Sequence, residues 1–226
     1  MNLNSPQITN SILSGLPQAD FELLRPNLTY VELQLRETLH KPKALITECY
    51  FIGSGLGSVV AKSKHESLEV GLIGYEGLSA VELILGGDKS NHETFIQVAG
   101  HGWRISTEHL LAARRESPSL QRSLLGFAKA FLEQAMNTAF ANGTATVEQR
   151  LARWLLLAND RIKGDYVPLT HEFLALMLGV RRSGVTVALN LLEDRGHISG
   201  ARGLIRIESR EGLEDAADGT YIPVGI

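Results

Sequence analysis

The sequence predicts an α+β protein with three parts: an N-terminal jelly-roll β-barrel, a long central helix and a C-terminal winged helix-turn-helix. Three observations lead to this prediction. Short strand-like segments separated by glycines occupy residues 28–104, and apolar residues at helical spacing follow over residues 117–142. Residues 170–195 have the pattern of two short helices joined by a glycine turn. We expect domain boundaries at residues 1–113, 114–142 and 143–226.

The N-terminal region begins with a predicted helix over residues 8–25, where apolar residues recur at helical spacing. Strands are predicted at residues 30–35, 58–61, 68–73 and 95–98, because apolar and polar residues alternate or cluster there. Many short strands with glycine-rich connections are typical of a barrel or jelly roll of about 80 residues.

The motif GlySerGlyLeuGly at residues 53–57 resembles a nucleotide-binding loop only superficially. It lacks the GxGxxG spacing, and no helix is predicted directly after it. We therefore interpret Gly53, Gly55 and Gly57 as β-turn glycines.

The long helix is predicted to start at Ser117-Pro118-Ser119 and to end near Asn142, with a hinge at residues 141–143. It carries two apolar stripes, so one can cover the barrel while the other meets a partner helix. The alternative is that both stripes are buried within one chain. Another helix is predicted over residues 150–161.

The C-terminal region begins with a helix that Thr170 can cap and that Gly179 ends. A second helix is predicted from Arg181 to Arg195, with one apolar stripe facing inward. Two strands at residues 197–199 and 204–207 would then form a wing.

The N-terminal residues of the second helix in a helix-turn-helix face base edges. The candidate DNA-binding residues are Thr170, Arg181, Arg182, Ser183, Thr186, Val187 and, at the tip of the wing, Arg202. The net charge of −3 does not by itself indicate a nucleic-acid partner, but residues 150–210 hold ten Lys and Arg against six Asp and Glu. The alternative is a solvated helical hairpin with ordinary surface arginines.

Composition excludes several other classes. No stretch is apolar enough to cross a bilayer, and the N-terminus lacks the pattern of a signal peptide, so we expect a cytoplasmic protein with no membrane contact. Cys49 is the single cysteine and is expected in the core. The histidines lack metal-ligand spacing, and no catalytic arrangement is evident, so we expect no enzyme, metal or cofactor. A haem ligand among His40, Cys49 or His92 stays open.

The order of barrel, long helix and winged helix, with LeuThrHisGluPheLeuAlaLeuMetLeuGlyValArgArg at residues 169–182, resembles the Crp/Fnr superfamily. The resemblance implies a homodimer that pairs through the long helix, a barrel that binds an effector, and double-stranded DNA with a palindromic operator as the partner. It also allows RNA polymerase as a further partner.

The chain departs from this family in its second C-terminal helix. Arg182 matches the first arginine of the family pattern, but Ser183 replaces a glutamate and Val187 replaces a later arginine. Arg182 can still pair with guanine, whereas the glutamate's preference for cytosine is lost. The departure predicts a non-standard operator, different from the common TGTGA half-site.

A second departure lies in the segments that would hold a cyclic nucleotide. Residues 74–78 keep the first half of the family cassette, but His92 lies where an arginine is expected and Glu93 would repel a phosphate. The candidate effector-pocket residues are Gly74, Glu76, Gly77, Leu78, His92, Glu93, Thr94, Ala135 and Met136. The last two stand where polar partners of an adenine would be expected, so we expect an unknown effector other than cyclic AMP.

Two other functions stay open at this point. One is an effector-binding or protein-interaction module whose winged helix does not contact DNA. The other is a sensor that binds DNA constitutively and responds only weakly to its ligand. A regulator should retain DNA in a manner that depends on salt and sequence, whereas a module whose winged helix does not contact DNA should not.

Overall fold

The computed structural model describes residues 7–64, 66–162, 164–201 and 203–223. They form two compact units. The first contains the residues up to Ser58 together with Ile73–Phe131, and the second contains Val59–Leu72 and the residues from Leu132 onward. Compactness alone does not define a functional domain, so the predicted three-domain division stays a prediction.

Among the described residues before residue 145 there are eleven elements, and three of them continue from one unit into the other. They are α1 (Ser11–Ser14), α2 (Gln18–Leu24), a 3-10 turn (Arg25–Asn27), β1 (Thr29–Leu33), β2 (Thr38–His40), β3 (Glu48–Lys62), β4 (Ser67–Ile73), α3 (Val81–Ile84), β5 (Glu93–Ser106), α4 (Thr107–Glu116) and α5 (Pro118–Thr144).

The strands of this region form one sheet in the order β1-β5-β3-β4. β1 and β2 both pair with β5 in antiparallel fashion, β1 from Thr29↔Arg104 to Leu33↔Gly100 and β2 near Phe95. Among the described residues the sheet does not close on itself. The predicted jelly roll is therefore confirmed, while the closed barrel is corrected to an open, jelly-roll-like sheet.

The glycines of residues 53–57 lie inside β3, so their interpretation as turn glycines was wrong. Gly55 has φ +87°, and a Cβ there would lie 2.4 Å from the carbonyl oxygen of Val98. A Cβ at Gly100 would lie 2.1 Å from the carbonyl oxygen of Ser54. The glycines thus allow the backbones of β3 and β5 to approach closely, which is one of the roles that glycine has within strands.

The predicted helix over residues 8–25 is broken into α1 and α2, and Pro17 stands directly before α2. Asn10 is fully buried and caps α1, its Oδ1 accepting from the Leu13 N–H at 3.2 Å. Its Nδ2 donates to the carbonyl oxygens of Ile52 and Gly77, both at 2.8 Å. The first helix is therefore tied to the sheet by one asparagine.

The predicted start of α5 is confirmed, but the helix runs through the predicted hinge at residues 141–143 and ends at Thr144. The break comes two residues later, where Thr146 forms a capping box with Gln149. The next helix therefore starts at Val147, earlier than the predicted residue 150.

The C-terminal part of the second unit contains α6 (Val147–Asn159), β6 (Tyr166–Pro168), α7 (His171–Leu178), α8 (Arg182–Asp194), β7 (Ile198–Ala201), β8 (Leu204–Ile207) and α9 (Arg210–Ala216). β6, β8 and β7 form a three-stranded antiparallel sheet in that order. β6 and α9 were missing from the sequence-based prediction, since neither has a long periodic pattern.

Within the described ranges, no single helix is long and apolar enough to cross a membrane. α7 and α8 reach that length and composition only when counted together, across a bend of 107°.

Candidate nucleic-acid interface

Helix α7 forms as the sequence predicts. Thr170 Oγ1 accepts the backbone N–H of Phe173 at 3.2 Å, which satisfies one of the free donors of the first turn. Gly179 has φ +61°, and the N–H of Val180 donates to the carbonyl oxygen of Ala175 at 3.0 Å. A left-handed residue at this place ends the helix and turns the chain.

Helix α8 follows at 107° to α7, within the range of helix-turn-helix motifs. The residues Val185, Ala188, Leu189 and Leu192 are buried, as predicted. The packing of α8 on α6 and α7 therefore fixes which face of α8 remains outside.

The outer face of α8 begins with three exposed residues, Arg181, Arg182 and Ser183. Among the described residues, neither arginine has an acidic partner in an ion pair. Their side chains are therefore available to phosphates or base edges.

Thr186 is half-exposed on α8, and its predicted contact with bases or nearby phosphates stays a prediction. Its hydroxyl donates to the carbonyl oxygen of Arg182 at 3.1 Å, one turn earlier in the helix. The Nδ1 of His171 lies 3.3 Å from the same hydroxyl oxygen, which therefore accepts from the imidazole. Thr186 thus joins α7 to α8 and positions the outer face of α8.

Sequence reasoning missed His171, although it stands directly after the cap residue Thr170. It also missed Asn190, which is exposed. Asn190 lies seven residues after Ser183, and residues seven apart on a helix share a face, so this spacing was the available signal.

Thr170, His171 and Arg182 line one groove of about 530 Å³ between α7, α8 and the two strands of the wing. Glu172 and Glu193 also line it. The groove is thus of mixed charge, and its positive side lies at the start of α8.

The predicted wing is confirmed as the hairpin of β7 and β8, paired from Ile198↔Ile207 to Ala201↔Leu204. Arg202, the predicted phosphate contact at its tip, lies outside the described residues.

The predicted effector residues 74–78 form a tight segment after β4. The N–H of Gly77 donates to the carbonyl oxygen of Gly74 at 3.1 Å, and the N–H of Gly74 lies 3.1 and 3.2 Å from the two carboxylate oxygens of Glu76. Glu76 and Leu78 are buried, and a Cβ at Gly77 would overlap the ring of Phe127.

The remaining predicted effector residues lie on β5 and α5 or just before them. His92 donates its N–H to Ser90 Oγ at 3.0 Å, Glu93 starts β5, and Thr94 is buried. Ala135 and Met136 lie on the part of α5 that belongs to the second unit, with Met136 63% exposed. Their grouping with residues 74–78 and 92–94 in one pocket stays a prediction.

The residues considered as possible haem ligands lie in the first unit. Burial raises the pKa of the Cys49 thiol to about 12, which fits the predicted core cysteine. His40 is buried, and its Nε2 lies 2.7 Å from Ser79 Oγ. Across the described part of the chain, no group of three or more His, Cys, Asp or Glu side chains could hold a metal ion.

One face of α5 is apolar and exposed. It consists of Leu125, Leu132, Met136 and Phe140, which are 42%, 58%, 63% and 62% exposed. Their spacing of seven, four and four residues places them on one side of the helix. The second apolar stripe predicted from the sequence includes Leu125 and Leu132, which are exposed, and Ala128, which is buried, so it is intrachain core only in part.

Comparison with known proteins finds a domain family that the C-terminal region resembles. Residues 149–216 match the family model of the Crp-like helix-turn-helix domain. A sequence search of curated proteins finds no match.

Solved structures share the fold. A Crp/Fnr family regulator from Eubacterium rectale matches 92% of this chain and 98% of its own, with 17% identity and a TM-score of 0.70. FixK2 from Bradyrhizobium japonicum matches 84% and 96%, with 15% identity and a TM-score of 0.72. The c-di-GMP-responsive regulator CLP from Xanthomonas campestris matches 84% and 99%, with 16% identity and a TM-score of 0.68. Residues 149–216 therefore match a Crp-like helix-turn-helix domain, and the chain shares the fold of solved Crp/Fnr family regulators.

Proposed function

We propose that the protein is a homodimeric, sequence-specific regulator that binds a palindromic operator and responds to an effector other than cyclic AMP. The observation that carries this proposal is the exposed start of α8, with Arg181, Arg182 and Ser183 beside the capped N-terminus of α7. This is the part of a recognition helix that enters the major groove.

The site residues have different roles in this proposal. Arg182 pairs with guanine, and Ser183 donates to or accepts from the neighbouring base edge. Arg181 and Thr170 contact phosphates, as does Arg202 from the wing. Thr186 and His171 hold α8 in position through their shared hydrogen bond.

The homodimer is supported by the exposed apolar face of α5. An apolar stripe along a long helix is typical of a helix–helix interface, since water would otherwise cover it. Two copies related by a twofold axis would present their α8 helices to half-sites about 34–36 Å apart, and a palindrome follows from that symmetry.

The effector is proposed to differ from cyclic AMP because the segments that would hold the phosphate are poorly suited to it. Glu93 adds a negative charge, no arginine is present in residues 90–95, and Glu76 is turned toward the backbone of Gly74. CLP, which has the same fold, is described as responsive to c-di-GMP, so this fold accommodates more than one effector. Titration calorimetry with cyclic AMP should show no binding at micromolar concentrations, and a micromolar Kd would contradict this part.

The test of DNA binding is a selection of genomic fragments by the purified protein at about 150 mM salt, where weak phosphate contacts alone retain little DNA. We expect enrichment of a palindrome. Arg182→Ala should cost about 1–3 kcal/mol of binding free energy and blur the preference at one position of each half-site.

The control is Arg115→Ala, which removes the same charge from the exposed face of α4 in the first unit. It should leave both the affinity and the selected sequence unchanged. An equal loss of Arg182→Ala on all sequences would make Arg182 a phosphate contact. A wild-type protein that enriches no sequence would favour the alternative, an effector-binding or protein-interaction module whose winged helix does not contact DNA.

Other parts of the proposal rest on the family resemblance or on sequence patterns alone. They are contact with RNA polymerase, a cytoplasmic location and the absence of enzymatic activity, and each stays a prediction.

A further inference from the structure

Helix α8 carries an exposed valine on its outer face. Val187 is 59% exposed, whereas the four buried residues of the same helix are at most 3% exposed. Valine is a weaker helix former than alanine, because its branched Cβ restricts χ1 against the preceding turn. Val187 thus adds little to the stability of α8. Helix stability therefore does not explain why an apolar side chain is exposed at this position.

The position of Val187 along α8 points toward DNA. Ser183, Val187 and Asn190 are separated by four and three residues, so they lie along one ridge of the helix. This ridge faces away from the buried stripe of Val185 and Leu189. If α8 enters the major groove with Ser183, Val187 follows it one turn later.

The chemistry of the groove identifies the partner of this side chain. A valine offers no donor or acceptor, and the C5-methyl of thymine is the apolar group that base pairs present in the major groove. We infer that Val187 packs against a thymine methyl and so selects an A·T pair at a fixed position of each half-site. This inference rests on the proposed function, namely the docking of α8 in the major groove.

The geometry of a helix and of DNA sets where that thymine lies. Four residues rise about 6 Å along α8, and successive base pairs are about 3.4 Å apart. The thymine therefore lies one or two base pairs from the base that Ser183 contacts.

The side chains next to Val187 are less suited to contact the thymine methyl. The hydroxyl of Thr186 is already bonded to Arg182 and His171, so it is held within the protein. Leu191 is also exposed, at 38%, but it lies one turn further from the N-terminus of α8. Base contacts concentrate at the N-terminal residues of a recognition helix, which makes Leu191 a suitable control.

The test replaces thymine by uracil, which removes the methyl group and leaves every hydrogen-bonding group in place. Each thymine of the operator selected by the wild-type protein is replaced singly, in both half-sites at once. At one position the wild-type protein should bind about fourfold more weakly per half-site. Val187→Ala should bind the thymine and uracil operators within about twofold of each other, because the packing partner is gone.

The controls separate this contact from general effects. Leu191→Ala should keep the wild-type thymine preference. Val187→Ala should unfold at the wild-type temperature or above, since it replaces an exposed valine by a better helix former.

The outcomes distinguish this inference from the proposed function. Specific DNA binding without any position sensitive to uracil, or an unchanged thymine preference in Val187→Ala, would overturn this inference alone. A wild-type protein that retains no duplex would overturn the proposed function and this inference with it.

Discussion

His40 on β2 shows how a single buried polar residue is accommodated. It is 7% exposed, its Nε2 lies 2.7 Å from Ser79 Oγ, and its ring meets that of Tyr50 edge-on at 6.2 Å. Burial lowers the pKa of His40 to about 4, because an imidazolium is poorly solvated there. The folded protein therefore keeps this histidine neutral at physiological pH.

We predict that the folded state loses stability as the pH falls from about 6.5 toward 4. In that window the unfolded chain binds a proton at His40 that the folded protein does not, so protonation favours unfolding. The stability that neutral His40 contributes is fully present above pH 6.5. By pH 4 the loss in free energy of unfolding is on the order of 3 kcal/mol. Urea unfolding at pH 7 and pH 4.5 measures it.

The matched variant is His40→Gln, which keeps a hydrogen-bonding group near Ser79 but does not titrate. Its free energy of unfolding should fall less than that of the wild-type protein between the two pH values. Identical pH profiles would show that carboxylates elsewhere cause the loss.

Buried charges at residue scale were not predictable from the sequence. Leu151 and Trp154 are buried on α6, and Arg153 between them is also only 6% exposed. Its Nε donates to the carbonyl oxygen of Thr220 and a terminal nitrogen donates to Thr138 Oγ1, both at 3.0 Å. These hydrogen-bond acceptors of Arg153 lie in other parts of the chain, so the local sequence around Arg153 does not predict them.

At the scale of elements, α7 depends on its cap. Thr170 is the residue whose side chain satisfies the first turn of a helix of only eight residues. Short helices gain little from propensity alone, so the cap is a large share of local stability.

We predict that Thr170→Ala destabilises the second unit by about 1 kcal/mol, whereas Thr170→Ser does not. Thr170→Asp should restore the cap and the stability, but weaken DNA retention several-fold because a carboxylate would face a phosphate. Thermal unfolding and fragment retention measure the two effects separately. Wild-type DNA retention by Thr170→Asp would remove Thr170 from the DNA interface.

Some element boundaries followed from the sequence and others did not. Pro118 at the start of α5 and Gly179 at the end of α7 are local signals, and both boundaries were predicted correctly. The hinge expected at residues 141–143 is helical instead, because Ala141 is buried and α5 continues to Thr144, two residues before the N-cap of α6 at Thr146. Packing overrode the weak local preference of Asn142 and Gly143.

At the scale of the whole molecule, the exposed apolar face of α5 predicts the assembly. Leu132→Glu places a charge at the centre of that face, where a second copy would bury it without a partner. We expect this variant to sediment as a monomer and to lose affinity for the palindrome, with little change in its own folding, because Leu132 is exposed within one chain.

The control for assembly is Leu85→Glu, which replaces a leucine that is 68% exposed directly after α3. It should sediment like the wild-type protein. A monomeric wild-type protein, or a Leu132→Glu variant that remains dimeric, would contradict the proposed helix–helix interface.

Local patterns in the sequence were enough to predict the order of the architecture and the helix-turn-helix segment. Periodicity, caps and turn glycines act over a few residues, so Thr170, Gly179 and the buried stripe of α8 could be recognised without any structure. Tertiary structure decided what depends on distant partners. The glycines of residues 53–57 are strand residues because β5 approaches them, Thr186 is held by His171, and Val187 is left outside because Val185 and Leu189 take the inner face. These contacts join positions far apart in the chain or choose between faces of one helix, and only the packed fold specifies them.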